Sequence, residues 1–283
     1  MSDLVLARDL ISLCKIPQTT MLVFTAFVGY LAAPGRFLPS SLALVLVSEL
    51  LAVSGTTSIN MYHDRHVDSL MSRTRSRPIP SGRMQPAWAF AFGYVLLGLG
   101  IVLSIFVNWI FALTIFLGYF FDIWVYTLFL KRRSVTNILF GGLAGGMPIL
   151  GGWVAREGAL AGGGLLLFSM IMLWIPLHTW VISLVNYRDY LEAGIPMVPF
   201  KAGRRTVFLT LFFALAAFEL ASFELALMGV ASFLMPAVAG GMFAGLTYAL
   251  YEALILDKKQ YLRFARTFAS VFLGVSLIAL LVR

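Results

Sequence analysis

Charged residues are scarce in this sequence: they make up 12% of 283 positions, while 60% are hydrophobic and the mean hydropathy is +0.90. So little polar material cannot cover the outside of a water-soluble fold, which leaves an integral membrane protein. Cysteine is rarer still. The single Cys14 excludes an internal disulfide and any multi-cysteine metal or iron–sulfur centre. The first apolar run follows Arg8 and Lys15 and continues through Ala33 without a small-x-small cleavage site, so it reads as a retained span and not a removed signal peptide. The glycine-rich stretch 141–152 lacks the Gly-Lys-Ser/Thr ending of a phosphate loop and reads as a surface for close helix packing.

What is abundant is apolar sequence in long windows. A hydrocarbon core about 30 Å thick takes about 20 helical residues. Such windows fall at 17–33, 40–62, 87–107, 109–129, 137–155, 163–185, 206–223, 227–254 and 264–282. They predict an all-α integral membrane protein, a single domain over 1–283 with nine transmembrane helices around a central cavity. Pro34-Gly35, Pro80-Ser81-Gly82, Ala202-Gly203 and Asp257-Lys258-Lys259 punctuate the windows, with the thinnest interruptions at Asn108 and Glu224. Of 21 Lys and Arg, only Arg36, Arg156 and Arg283 fall on one side of this arrangement. The asymmetry predicts a cytoplasmic N-terminus, a C-terminus opposite, and the polar stretches on the cytoplasmic side. The net charge of +8 is then topology signal plus contact with the lipid bilayer, and it requires no nucleic acid.

Two polar stretches interrupt the pattern, after the second and sixth windows. The first carries Asn60, Asp64 and Asp68 at steps of four, on one helical face, with Arg73, Arg77 and Arg83 following. The second carries Asn186, Asp189 and Glu192 at steps of three, with a basic tail through Arg205. Their correspondence, about 126 residues apart, suggests a weak 4+4 internal repeat with the ninth helix added, and paired helix ends facing a central cavity. Two carboxylates at the edge of a low-dielectric region repel unless compensated, and magnesium fits a sparse carboxylate set completed by phosphate oxygens. The expected metal ligands are therefore Asp64, Asp68 and Asp189, with Asn60 and Asn186 in support. The competing expectation is simple ion pairing of these acids with neighbouring arginines. Lys131-Arg132-Arg133 closes the fourth window on the same side, and Tyr126 lies five residues before Lys131, in reach of a departing diphosphate.

The remaining polar residues are fewer. His63, His66 and His178 read as interfacial hydrogen-bonding residues, although a neutral imidazole is also a common iron ligand. Asp122 lies four residues before Tyr126 and nearly on its face, placing an acid inside the membrane where it could orient water or Tyr126. Glu49 and Glu219 are further intramembrane acids.

Asn60-x-x-x-Asp64-x-x-x-Asp68 followed by Arg77-Pro78-x-Pro80-Ser81-Gly82 resembles the first motif of the UbiA-type intramembrane prenyltransferases. Within that family the chain is most similar to the protoheme IX farnesyltransferase (heme O synthase) branch. That likeness is carried by Tyr126-Thr127-Leu128-x-Leu130-Lys131-Arg132-Arg133, Trp174-x-Pro176-x-His178 and Asp189-Tyr190-x-x-Ala193-Gly194. The resemblance implies nine helices around a cavity in a prokaryotic cell membrane. It also implies magnesium-assisted ionisation of farnesyl diphosphate, with capture of the allylic cation by a vinyl group of heme b. Asp64 and Asp68 would hold one metal and Asp189 a second, while Arg77, Lys131 and Arg132 would neutralise the leaving diphosphate. The family's Pro-Pro-His stands here as Pro176-Leu177-His178, and the resemblance implies that His178, His63, His66 and Asp122 would contact the heme acceptor. Two other readings stay open on the residues: the same machinery acting on an aromatic or quinone-precursor ring, and a transporter or lipid-binding protein using the repeat for alternating access.

Overall fold

The computed structural model describes residues 3–282. Among these residues the regular structure is entirely helical. The first apolar run is broken: α1 (Asp3–Leu13) and α2 (Ile16–Ala32) meet at 51°. At the break Lys15 takes the left-handed conformation, φ 44° and ψ 56°, uncommon for a residue with a side chain. Pro17 follows in the first turn of α2, where its missing N–H has no intrahelical partner to lose. Asp9 of α1 reaches Arg83 at 3.3 Å and ties α1 to the segment after α3.

Helix α3 (Pro39–Leu70) decides where the chemistry sits. Its 32 residues make it about 48 Å long, against a hydrocarbon core of about 30 Å, so its C-terminal turns stand at the boundary and beyond. The apolar window closes at 62 because charges begin there, but nothing between 63 and 70 breaks a helix. Asn60, Asp64 and Asp68 therefore share one continuous face.

The chain then runs through α4 (Pro86–Ile105) and α5 (Trp109–Tyr119), which continues without a break into a π-helical segment, Phe120–Leu130. Asn108, a thin interruption in the sequence, is a working cap: its side chain accepts from the Phe111 N–H at 2.8 Å and donates to the Val154 carbonyl at 3.0 Å. Helices α6 (Asn137–Glu157) and α7 (Gly162–Val185) follow, then the short α8 (Tyr187–Glu192) and α9 (Val198–Lys201). Helices α10 (Arg204–Leu227), α11 (Leu234–Leu254) and α12 (Gln260–Leu281) complete the bundle. The expected boundary at Glu224 moves: α10 continues to Leu227 and the chain turns at Gly229, φ 70°, because one glutamate among helix formers does not end a helix.

Among the described residues eight helical segments are long and apolar enough to cross a bilayer, α5 and its π continuation counting as one, and the bent α1–α2 pair makes a ninth. Large apolar side chains such as Val95, Trp124, Phe213 and Leu220 are exposed around the outside, the surface expected against lipid. The glycines mark close backbone contact. A Cβ at Gly152 would overlap the Ala26 carbonyl of α2, and one at Gly100 of α4 would lie 2.8 Å from the Ser48 oxygen of α3. In lipid, where packing replaces the hydrophobic drive, such contacts draw helices together.

Candidate active site

The face of α3 that carries Asn60, Asp64 and Asp68 lines a small polar cavity of about 210 Å³. All three side chains are buried. Each acid has a cation of its own: Lys131 Nζ lies 2.5 Å from Asp64 Oδ2, and Arg77 Nη1 lies 2.7 Å from Asp68 Oδ2. Asn60 is engaged at both ends, its Oδ1 accepting from Lys15 Nζ at 2.7 Å and its Nδ2 donating to Thr127 Oγ1 at 2.9 Å. Arg73 completes the basic lining.

Lys131 reaches Asp64 because of how its own segment is wound. The Lys131 N–H donates to the Tyr126 carbonyl five residues back, at 2.8 Å, and the Thr127 hydroxyl donates to the Asp122 carbonyl at 2.7 Å. Bonds of that span imply roughly 4.4 residues per turn in place of 3.6. From Asp122 to Lys131 is then about two full turns, where an α-helix would make two and a half and turn Lys131 away. Asp122, Tyr126 and Lys131 consequently face the same cavity, with the Lys131 ammonium 5.5 Å from the Tyr126 ring centroid. Burial works against the Lys131 charge, but the Asp64 carboxylate outweighs it and holds the ammonium above its ordinary range.

The second polar stretch lies differently. Asp189 does not line the polar cavity. Its carboxylate accepts from the Ser72 hydroxyl at 2.8 and 2.9 Å and from the Arg73 N–H at 3.4 Å. Slight burial raises its pKa, but these hydrogen bonds prevail and hold the carboxyl below its usual value. Asn186 caps α7, donating to the Ile182 carbonyl at 2.9 Å, and stays outside the cavity. Tyr190, beside Asp189, does reach it. Asp189 thus stands apart from Asp64 and Asp68, and among the described residues no three acidic, histidine or cysteine side chains gather on their own. Asn60 and Asp189 are held by hydrogen bonds to protein instead. Asp64 and Asp68 remain, buried and one turn apart. Two carboxylates suit magnesium, which keeps waters and takes phosphate oxygens for the rest of its shell.

Above the polar cavity opens a largely apolar one of about 600 Å³, and the two share Asp122, Tyr126, Arg73 and Tyr190. His178 lines it, stacked on Trp174 with ring centroids 4.6 Å apart and 3.5 Å from Ser270 Oγ. Glu49 lines it too. Three expected residues stand elsewhere. His63 packs edge-on against Tyr62 and Phe90 on the α4 side, His66 is exposed, and Arg132 is exposed past the end of the π segment. Conversely, Lys15 and Thr127 belong to the site although the sequence singles out neither; Lys15 looks like one more orientation charge until the bend at α1–α2 points it inward.

The model of the UbiA prenyltransferase family matches residues 22–278. The chain belongs to this family. A UbiA relative from Archaeoglobus fulgidus, a protoheme IX farnesyltransferase, is 43% identical over 210 residues, 74% of each chain. Another of that name, from Thermofilum pendens, is 40% identical and covers 75% of this chain and 76% of its own. Among solved structures, one described under digeranylgeranylglyceryl phosphate synthase superposes with a TM-score of 0.80 at 20% identity, covering 98% of this chain and 97% of that one. A UbiA homolog from Archaeoglobus fulgidus bound to GPP and Mg2+ superposes with a TM-score of 0.69 at 16% identity, covering 96% and 99%. These likenesses show a shared fold.

Proposed function

We propose that this prenyltransferase moves the farnesyl group of farnesyl diphosphate to a vinyl group of heme b, giving heme O and diphosphate. The observation that carries this reading is the polar cavity of Asp64, Asp68, Lys131, Arg77 and Arg73 opening directly into an apolar chamber, in a chain about 40% identical to protoheme IX farnesyltransferases. In the transfer the bond between farnesyl C1 and oxygen breaks, its electron pair leaving with diphosphate. The vinyl π pair forms the new carbon–carbon bond, and water adds to the resulting cation and loses a proton.

Each part of the site has work in that sequence. Lys131, Arg77 and Arg73 are fixed positive charges where negative charge develops on the leaving group, and fixed charges in a water-poor site need little reorganisation. Magnesium, held by Asp64 and Asp68, would neutralise diphosphate oxygens and make them a better leaving group. When the diphosphate arrives, Lys131 and Arg77 can turn from the two carboxylates to its oxygens. Asp189 stands at the mouth of the site as a third carboxylate, able to hold a second metal once Ser72 releases it. Tyr126 and Asp122 border both cavities, where C1 of a diphosphate held at Asp64 and Asp68 would lie, and are placed to steady the cation or hold the water. The apolar chamber keeps other water from the allylic cation, and His178 with Trp174 offers a flat wall to the porphyrin.

The test is a reconstituted reaction. Purified protein, magnesium and labelled farnesyl diphosphate are offered heme b and a panel of phenolic acceptors. Label should appear in a heme product of heme O mass; label in phenols with none in heme would overturn the assignment.

A further inference from the structure

The stripe that α3 turns to the cavities continues past its acids. Thr57, Thr56, Val53 and Glu49 extend it at steps of three or four, so one helical face runs from the polar cavity along the apolar chamber. The fifteen residues from Asp64 to Glu49 span about 22 Å at 1.5 Å each. That end of the chamber is shut. Glu49 is 3% exposed, and its neighbours Ser48, Val45 and Phe111 have no accessible surface. A Cβ built on Gly151 would meet Thr114 Oγ1 at 2.8 Å, Glu49 Oε1 at 3.0 Å and the Phe111 ring at 3.2 Å, so these groups converge on one point. Thr114 spends its hydroxyl hydrogen on the Phe111 carbonyl at 2.7 Å. No donor among the described residues reaches the Glu49 carboxyl, which borders the chamber without a protein partner.

The other end of the chamber, at Trp174, His178 and Ser270, is walled by stacked rings and opens past the exposed Ser270. An open, flat-walled end admits a broad rigid acceptor from the bilayer; a blind end along one helix holds a linear chain. We infer that Glu49 and Thr114 form the floor of the donor arm and set the length of the prenyl chain. This rests on the prenyl transfer proposed above and assigns the specificity of that site. With C–C bonds of about 1.5 Å, a chain advances roughly 1.25 Å per backbone carbon, so farnesyl spans about 15 Å and geranylgeranyl about 20 Å. Diphosphate at Asp64 takes about 5 Å of the arm and leaves about 17 Å for the chain, so the first fits and the second overruns it. A carboxyl without a partner is a costly floor. Its use is rejection, because a longer chain would strip the carboxyl of any remaining water.

Calorimetric affinities of the detergent-purified protein with magnesium for geranyl, farnesyl and geranylgeranyl diphosphate test this without any acceptor. The wild type should bind farnesyl roughly tenfold or more tighter than geranylgeranyl diphosphate, and Glu49→Ala should narrow the gap to about threefold or less. Glu49→Gln, which keeps the floor, should retain the preference. Val53→Phe raises the floor one turn, about 6 Å, and should shift the preference to geranyl diphosphate. If both Glu49→Ala and Val53→Phe leave chain-length preference unchanged, the inference fails; a change only in acceptor KM would place the acceptor in this arm. A wild type that discriminates chain length as predicted but never prenylates heme would overturn the acceptor assignment and leave the floor standing.

Discussion

Lys131 and Asp64 each hold the other's charge where little water can. Removing one leaves its partner buried and uncompensated, so Asp64→Asn and Lys131→Met should each lower turnover by about 10²-fold or more. Because the two act on one leaving group, the double variant should lose far less than the product of the single losses, and steady-state kinetics of the three variants measures this. Multiplicative losses would show that the two residues act independently. Asp64, Asp68, Arg77 and Lys131 are legible from sequence because four-residue spacing puts acids on one face and arginines and lysines beside them. Lys15 is not legible, since its role depends on a backbone bend that no spacing announces. His63 and His66 invite a heme role only as letters near the acids; on the helix they look toward α4 and solvent.

At the scale of elements, the π winding of Phe120–Leu130 is what aims Lys131. Replacing Trp124 and Val125 by alanine, the strongest α-helix former, should let the segment rewind as an α-helix at unchanged length and carry Lys131 about half a turn round. Farnesyl diphosphate affinity should then fall about tenfold or more while helical circular dichroism stays unchanged. Unchanged affinity would show that the winding does not aim the charge. Apolar periodicity predicts a helix there but cannot say how tightly it is wound, because every residue in the segment tolerates either form. The glycines of α6 were readable as packing residues, and their partners came only with the structure. Gly152→Leu should lower thermal stability by about 1–3 kcal/mol through overpacking against α2, read as a lower Tm in detergent.

For the whole molecule, composition and window length were enough to predict an all-helical multi-pass protein, because the bilayer thickness leaves few other ways to bury this much apolar sequence. Boundaries were less legible where charge and helix ends part company, as at the C-terminal turns of α3 and at Glu224. Orientation is a prediction from 18 of 21 basic residues on one side. A phosphatase reporter that folds only outside the cytoplasm should be active when fused after Arg283 and inactive when fused after Arg83; the reverse pattern would invert the topology.

The seam where Gly152 of α6 meets the Ala26 carbonyl of α2 is too tight for a file of solvent molecules. Between these two helices the bundle is in effect caulked. In the proposed reaction the product's hydroxyl arrives by another route, either past the polar entrance that diphosphate vacates or around the porphyrin itself.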